Sequence, residues 1–370
     1  MKLASSTWDE AEKRAIFDVV SSGQYTMGAK VREFEQRYAD FCGSKYCVMV
    51  NSGSSANLLM VAAWTLRYGK GTVIVPAVGW STSYSPFQQY GWKLHFVDID
   101  RETLNYDTEK LKAAASLYTN PLILAVNVLG NPNDFAQFPD CPVLEDNCEA
   151  MGAMYQGRTT GSIGVMGSHS CFFAHHICTM EGGAITTDDE YFYHMLLSLR
   201  SHGWTRHLPE HNALGAEVAS WNFILPGYNV RPIEMMGAIG CEQVKKLPEI
   251  IRQRRSNAES FPLEKQKEVG HSSWYGFALL SDDLKKLKSA LDYIGVEHRP
   301  VISGNFLKHP AMKYYDYVAD PTPNADYIDK HGVMIGNHAQ KIDWSILAEH
   351  IHWLRQERNS RVPRSLALNP

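Results

Sequence analysis

The middle of the sequence contains no lysine. Lys112 and Lys245 flank residues 113–244, a lysine-free stretch that makes up more than a third of the 370-residue chain. Chemistry that depends on a lysine amine, such as covalent capture of a carbonyl compound, therefore has no nucleophile in this stretch.

The sequence also lacks a strong charge excess, a long apolar run and paired cysteines. A net charge of -4 and a pI near 6.4 give no electrostatic basis for nucleic acid or an acidic membrane as partner. No apolar run approaches the roughly 18 residues that a membrane span requires. The seven cysteines are odd in number and form no CxxC pair, which predicts reduced thiols and a cytoplasmic protein.

Short apolar runs alternate with helical patterns through the first two thirds of the chain. Such alternation predicts an α/β fold with a mostly parallel sheet, whose ligands lie at the carboxyl ends of the strands. We predict a large cofactor-binding domain over 1–231 and a smaller C-terminal α+β domain over 232–370, with helices at 232–247 and 249–268. The predicted strands are 46–50, 71–76, 93–100, 122–130, 141–146 and 183–188.

Three polar stretches follow predicted strands. "NSGSSAN" opens a helix and places Ser54 and Ser55 where they suit either a phosphate cradle or an ordinary helix N-cap. Trp80 is either core filler or a ring that covers a flat heterocycle. Asp146, in "VLEDNCEAMGA", is either an N-cap or the partner of a protonated ring nitrogen.

The stretch "HSCFFAHHICTMEGG" carries two adjacent histidines, His175 and His176. Metal binding is one interpretation, because three histidines and two cysteines lie within ten residues. Their spacing does not match a standard zinc pattern and no second ligand pair follows at a usual distance, so we predict no metal site. A buried structural pair and a catalytic imidazole remain the alternatives.

Taken together and in this order, these stretches resemble the DegT/DnrJ/EryC1/StrS sugar aminotransferase family, whose members share the fold of aspartate aminotransferase and use pyridoxal 5′-phosphate. The resemblance extends to "PAVGW" and "LPGYNVRPIEMMGAIG" and covers nearly the whole chain. It implies that Trp80 stacks on the cofactor ring and that Asp146 binds the ring nitrogen. It implies further cofactor contacts through the following residues: Ser54, Ser55 and Ser170 at the phosphate, Glu149 near the ring hydroxyl, and Asn229 at the phosphate from the neighbouring subunit of a homodimer.

The departure from the family pattern lies six residues before Glu181. The aminotransferases hold there the lysine that carries the cofactor covalently, whereas this sequence has His175. The same replacement marks a branch of sugar 3-dehydratases. Of its two kinds, the sequence resembles the GDP-sugar enzymes of colitose biosynthesis rather than the CDP-sugar enzymes, since the iron–sulfur cysteines of the latter are missing.

The resemblance therefore implies a dehydratase that uses non-covalently bound pyridoxamine 5′-phosphate. L-Glutamate is the implied amino donor, and the C3 hydroxyl of a nucleotide-linked 4-keto-6-deoxy sugar, GDP-4-keto-6-deoxy-D-mannose, is the group removed. His175 is the expected acid/base, because an imidazole with an ordinary pKa of about 6.5 moves protons near neutral pH. His202, Arg206 and Arg299 are candidate contacts for glutamate or substrate. A nucleotide-sugar aminotransferase and a non-catalytic relative of the same fold are the alternative hypotheses.

Overall fold

An eight-stranded sheet forms the centre of the structure, a computed structural model that describes residues 1–354. The strands are β1 (Tyr46–Val50), β2 (Thr72–Pro76), β3 (Lys93–Val97), β4 (Leu122–Val126), β5 (Val143–Asp146), β6 (Met154–Tyr155), β7 (Arg158–Thr159), β8 (Met166–Ser170), β9 (Gly183–Thr187), β10 (Gly276–Leu280), β11 (His298–Arg299), β12 (Tyr317–Ala319) and β13 (Gly332–Gly336). The helices are α1 (Glu10–Ser22), α2 (Ala29–Cys42), α3 (Gly53–Tyr68), α4 (Ser81–Gln89), α5 (Thr108–Ala115), α6 (Glu190–Leu199), α7 (Glu234–Glu259), α8 (Leu284–Tyr293), α9 (Pro323–His331) and α10 (Ser345–Ile351).

The strand order in the large sheet is β1-β9-β8-β5-β4-β2-β3-β12. Pairing is parallel from β12 through β8, and β9 alone runs antiparallel to both of its neighbours. The prediction of a mostly parallel α/β sheet is confirmed. Because β1, β2, β4, β5 and β8 share one direction, their carboxyl ends meet at one edge of the sheet.

Both faces of the sheet are buried, as the apolar strands predict. Side chains alternate between the faces of a strand. Val48 and Val50 of β1 therefore join a core cluster with α3, while Cys47 and Met49 join a second cluster with α2 and α7. Helices cover each face, so the polar groups that bind ligands are confined to the strand ends.

Helix α7 corrects one expectation. The predicted helices at 232–247 and 249–268 are instead one helix, Glu234–Glu259, that continues through Pro248. Proline removes one backbone hydrogen bond from a helix interior. Leu247 and Ile250 on either side of it are buried in the cluster with α2, and this burial holds the helix together. The predicted helix over 260–268 is wrong, since the chain leaves helical geometry after Ser260.

The C-terminal part of the chain forms a small antiparallel sheet, β10-β13-β11, against α8 and α10. It is also tied to the large sheet. β12 pairs with β3, and the buried carboxylate of Asp98 accepts hydrogen bonds from the backbone N–H groups of Asn324 and Ala325 at the start of α9. The domain division at residue 232 stays a prediction, and residues 355–370 lie outside the described part of the chain. None of the helices within residues 1–354 has the length and apolar character needed to cross a bilayer.

Candidate active site

A cavity of about 310 Å³ opens at the edge where the parallel strands end. Its walls come from the segments that follow β1, β2, β4, β5 and β8, together with Tyr275 and β11. Seven of the predicted site residues line it: Ser54, Trp80, Asp146, Glu149, Ser170, His175 and Arg299. Ser55, His202, Arg206 and Asn229 are not among its lining residues.

Asp146 ends β5 with its carboxylate in the cavity wall. One oxygen, Oδ2, accepts hydrogen bonds from Asn57 Nδ2 at 2.9 Å and Ser83 Oγ at 2.5 Å, and Oδ1 accepts from the Cys148 N–H at 3.2 Å. Within residues 1–354 no lysine, arginine or histidine pairs with this carboxylate. A largely buried carboxylate that lacks a cation suits a ligand with a positively charged N–H.

The start of α3 and the end of β8 form a polar cradle. The first N–H groups of a helix have no intrahelical partners, and they favour anions. Ser54 Oγ lies 2.8 Å from Thr82 Oγ1, and Ser170 Oγ accepts from the Phe172 N–H at 3.3 Å. The Ser55 hydroxyl instead donates to Asn51 Oδ1 at 2.6 Å, inside the turn that begins the helix.

Gly53 brings the two sides of this cradle close together. A Cβ at this position would lie 2.7 Å from Ser170 Cβ and 2.9 Å from Cys148 Sγ, so a side chain would force the start of α3 away from β8. A residue without Cβ is needed wherever backbone approaches this closely.

Trp80 completes the shape of the cavity. Trp80 is the N-cap residue of α4 and is 51% exposed. A flat cationic heterocycle with a phosphate group fits this arrangement, because an indole face, the Asp146 carboxylate and an anion-binding helix start all border one space. The residues present therefore fit pyridoxal 5′-phosphate.

His175 presents a neutral imidazole to the cavity. Its Nδ1 lies 2.6 Å from the Cys148 carbonyl oxygen, which only accepts hydrogen bonds, so Nδ1 carries the proton and Nε2 the lone pair. Burial lowers the pKa of His175 to about 4, with smaller lowering effects from Arg299 and Arg254, against the raising effects of the Cys148 carbonyl and Asp146. An imidazole that is neutral at pH 7 is able to accept a proton at Nε2.

His176 faces away from the cavity. It is fully buried, and its Nε2 bonds to the Ser273 carbonyl at 3.2 Å. His169 is equally buried, between Tyr38 and Thr186. Among the described residues there is no cluster of three or more histidine, cysteine or acidic side chains suited to a metal ion.

Glu149 and Arg299 form the ion pair of the cavity wall. Arg299 Nη2 donates to Glu149 Oε1 at 3.2 Å, and Glu149 Oε2 accepts from the Leu129 N–H at 3.2 Å. Burial raises the pKa of Glu149 to about 7, and Arg299 counteracts this only in part. This carboxyl group therefore changes protonation near neutral pH.

Four residues that sequence reasoning missed complete the site. Asn57 and Ser83 hold Asp146, Thr82 bonds to Ser54, and the Tyr275 ring lies 5.3 Å from the His175 ring. Thr82 and Ser83 sit in the first turn of α4 and Asn57 begins the second turn of α3, each helix follows a candidate loop, and this position was the available signal. Tyr275 gave no such signal, since it lies far along the chain in an apolar stretch.

The remaining predicted contacts, His202, Arg206 and Asn229, do not line the cavity. The Arg206 guanidinium stacks over Trp204 at 3.5 Å, and the His202 ring lies 4.6 Å from the same indole. Asn229 is exposed, and its backbone bridges to Ser201. Their roles in ligand binding remain predictions.

The profile of the DegT/DnrJ/EryC1/StrS aminotransferase family matches residues 6–341. The chain belongs to this family. The resemblance inferred from the sequence motifs is thereby confirmed. A GDP-4-keto-6-deoxy-D-mannose 3-dehydratase of Yersinia pseudotuberculosis is 50% identical over 368 residues, covering 91% of this chain and 93% of the relative. The enzyme of that name from Escherichia coli O55:H7 is also 50% identical over 368 residues, covering 91% and 95%.

Solved structures of this family agree with the fold. The E. coli GDP-4-keto-6-deoxy-D-mannose-3-dehydratase with bound hydrated pyridoxal phosphate superposes with a TM-score of 0.89 at 48% identity, over 96% of this chain and 98% of the other. A GDP-4-keto-6-deoxymannose-3-dehydratase with a trapped cofactor–glutamate geminal diamine gives a TM-score of 0.89 at 47% identity, over 96% and 98%.

Proposed function

We propose that this chain is a pyridoxamine 5′-phosphate-dependent 3-dehydratase that acts on GDP-4-keto-6-deoxy-D-mannose. The products are a 4-keto-3,6-dideoxy sugar, ammonia and 2-oxoglutarate, and L-glutamate supplies the amino group and is oxidised in doing so. Two kinds of support meet here: relatives of that name at 50% identity, and a cavity whose walls fit the cofactor.

Each side of the cofactor has a residue to hold it. Ser54, Ser170 and the first N–H groups of α3 bind the phosphate, Trp80 covers the ring face, and Asp146 keeps the ring nitrogen protonated. When bound, the cofactor supplies an amine for the C4 ketone and a ring that accepts electrons. Asn57 and Ser83 fix the Asp146 carboxylate in place through hydrogen bonds.

His175 moves the protons. Its Nδ1–H is held by the Cys148 carbonyl, so Nε2 accepts a proton and later delivers it to the departing C3 hydroxyl. A lysine at this position would hold the cofactor covalently and favour an amino sugar as product. The observation that carries the proposal is therefore an imidazole in a cavity with no lysine among its lining residues.

The test is an assay with purified protein, cofactor, GDP-4-keto-6-deoxy-D-mannose and L-glutamate. We expect equal amounts of ammonia and 2-oxoglutarate, and a nucleotide sugar that carries one oxygen atom fewer than the substrate, because glutamate supplies the two electrons that replace the C3 hydroxyl by hydrogen. Formation of a GDP-amino sugar instead would establish the aminotransferase alternative. Failure to bind the cofactor would establish the non-catalytic one.

We further propose a cytoplasmic homodimer in which Asn229 of each chain reaches the cofactor phosphate of the other. Its support is that Asn229 is exposed and does not line the cavity of its own chain. His202 and Arg206 lie on the same surface and would then contact substrate across the dimer, whereas Arg299 contacts ligands within its own chain.

A further inference from the structure

Arg299 supplies the positive charge among the residues that line the cavity. Its guanidinium is already paired with the carboxylate of Glu149. Its Nη2 donates to Glu149 Oε1 at 3.2 Å, and its Nε points to the thioether sulfur of Met334 at 3.1 Å. A thioether is a weak acceptor. The side chain is 33% exposed, so a ligand in the cavity is able to reach it.

Glu149 is the one charged partner of the guanidinium among the described residues; its other contacts, the Met334 sulfur and the Tyr275 hydroxyl, are neutral groups that a carboxylate is able to displace. A guanidinium presents five N–H donors in a planar fork and binds a free carboxylate most strongly through two parallel hydrogen bonds. Glu149 uses one N–H of this fork, because its second oxygen is held by the Leu129 N–H. A carboxylate that enters the cavity without that restraint forms the stronger contact.

When a ligand carboxylate takes over Arg299, the protonation state of Glu149 changes. Its side chain is 16% exposed, and the groups around it are Asp146 at the end of β5, the neutral imidazole of His175, the exposed acid Glu181 and the hydroxyl of Tyr275. Within the described residues of this cavity wall, none of these supplies a second cation. A buried carboxylate that loses its cation becomes protonated.

We propose that Glu149 is a resident carboxylate that occupies Arg299 until a carboxylate of the amino donor displaces it, and that the displaced Glu149 then takes up one proton from solvent. This inference rests on the proposed function for the identity of the donor. It assigns Arg299 to glutamate rather than to the nucleotide sugar. It also gives Glu149 a role that a glutamine at the same position is unable to perform.

The exchange links donor binding to pH. Burial raises the pKa of Glu149 to about 7 while Arg299 is present, and loss of Arg299 raises it further. Binding that requires proton uptake weakens as pH rises above the pKa of the free group. The affinity for the donor carboxylate is therefore expected to fall between pH 7 and pH 9 in the wild-type protein and to stay level when residue 149 does not titrate.

The test uses glutarate, a dicarboxylate that lacks the amino group and does not react with the cofactor. Glutarate is titrated into the cofactor-loaded protein by calorimetry at pH 8, in two buffers with different ionisation enthalpies. We expect close to one proton to be taken up per glutarate bound. Glu149→Gln is expected to bind glutarate about tenfold more tightly, without proton uptake, because the competing charged hydrogen bond is removed.

Two variants serve as matched controls. Glu181→Gln makes the same change at an acid of the same cavity that does not pair with Arg299, and we expect its affinity and proton uptake to match the wild type. Arg299→Gln is expected to abolish glutarate binding, with thermal melting used to confirm that the variant is folded.

Three outcomes overturn the inference: absence of glutarate binding in the wild type, binding without proton uptake, or unchanged affinity in Glu149→Gln. The glutarate titrations do not depend on turnover. If the dehydratase assay fails but glutarate still binds with proton uptake, the proposed function is refuted and this inference is not.

Discussion

The tautomer of His175 is fixed by backbone, not by another side chain. The acceptor of its Nδ1–H is the carbonyl oxygen of Cys148, two residues after Asp146. The strand end that places the carboxylate thus also places the acceptor for the imidazole. Acid/base chemistry and cofactor binding are therefore positioned by one turn of the chain.

The two adjacent histidines are expected to differ sharply in mutants. His175→Asn removes the lone pair at Nε2 and should lower turnover by about 10²- to 10⁴-fold, the usual contribution of a general base. His176→Asn alters a buried contact with Ser273 outside the cavity and should retain most activity. Steady-state rates, compared after both variants are shown to bind the cofactor, check this prediction. The opposite ranking would assign the base to His176.

Buried neutral histidines make the free energy of unfolding decrease as the pH falls. Burial lowers the pKa of His169 to about 3, and the Asn147 amide donates to its Nδ1 at 3.3 Å, which favours the unprotonated ring. Because the unfolded chain binds the proton more tightly, stability is lost as pH falls from 6.5 towards 3. The loss is about 2 kcal/mol per such histidine between pH 6.5 and pH 5.

His169→Gln should therefore unfold at lower urea concentration than the wild type at pH 7, since it loses packing between Tyr38 and Thr186. Its midpoint should then change less between pH 7 and pH 5. Urea titrations at the two pH values measure both effects. An equal drop in both proteins would show that His169 does not contribute to the acid sensitivity.

Single residues with strong chemical constraints were predictable from the sequence. Asp146 ends a strand, Trp80 and His175 follow strands, and all three line the cavity. Tyr275 was not predictable, because its approach to His175 depends on how the start of β10 is folded back against the site. Ser55 shows the reverse case, as its hydroxyl is used within the helix start.

At the scale of elements, the contact between α3 and β8 decides the width of the phosphate cradle. Gly53→Ala should push the helix start outward, because the added Cβ would lie 2.7 Å from Ser170 Cβ. We expect cofactor affinity to fall by about tenfold or more, since each 1.4 kcal/mol of lost phosphate contact is tenfold. Fluorescence titration with pyridoxamine 5′-phosphate measures this affinity.

Gly71→Ala is the matched control for this prediction. It lies just after the same helix, and its Cβ would meet its nearest atom, in Trp92, at an ordinary 3.9 Å. Cofactor affinity should be unchanged there. Equal affinities in Gly53→Ala and Gly71→Ala would mean that the close approach of α3 and β8 is not needed to hold the phosphate.

The elements differ in how far local sequence determines them. β1 and β2 are apolar, and their predicted bounds, 46–50 and 71–76, agree with the structure within one residue. β8, "MGSHS", carries no apolar alternation, and it is a strand because β5 and β9 pair with it on both sides. α7 continues past Pro248 for a similar reason, since packing against α2 outweighs the lost hydrogen bond.

At the scale of the whole molecule, the 201–231 segment contributes no lining residue to the cavity of its own chain. The segment carries exposed aromatic side chains, with Trp221 77% and Phe223 53% exposed, beside stacked Arg206. Exposed aromatics and arginine are enriched at protein interfaces. A second copy of the chain that covers this segment would bring Asn229 to the other cavity, as the proposed homodimer requires.

Mixing two inactive variants tests this arrangement. His175→Asn lacks the base but keeps Asn229, while Asn229→Ala keeps His175 and lacks the phosphate contact. If each site takes Asn229 from the opposite chain, a hybrid dimer contains one complete site. Random reassociation of equal amounts should then restore about a quarter of wild-type activity, because half of the dimers are hybrids and each hybrid has one complete site of two.

The control is each variant dissociated and reassociated alone, after sedimentation has established that both variants are dimers. A mixture no more active than its two parents would place Asn229 and His175 of a working site in the same chain, because a hybrid dimer would then lack any complete site.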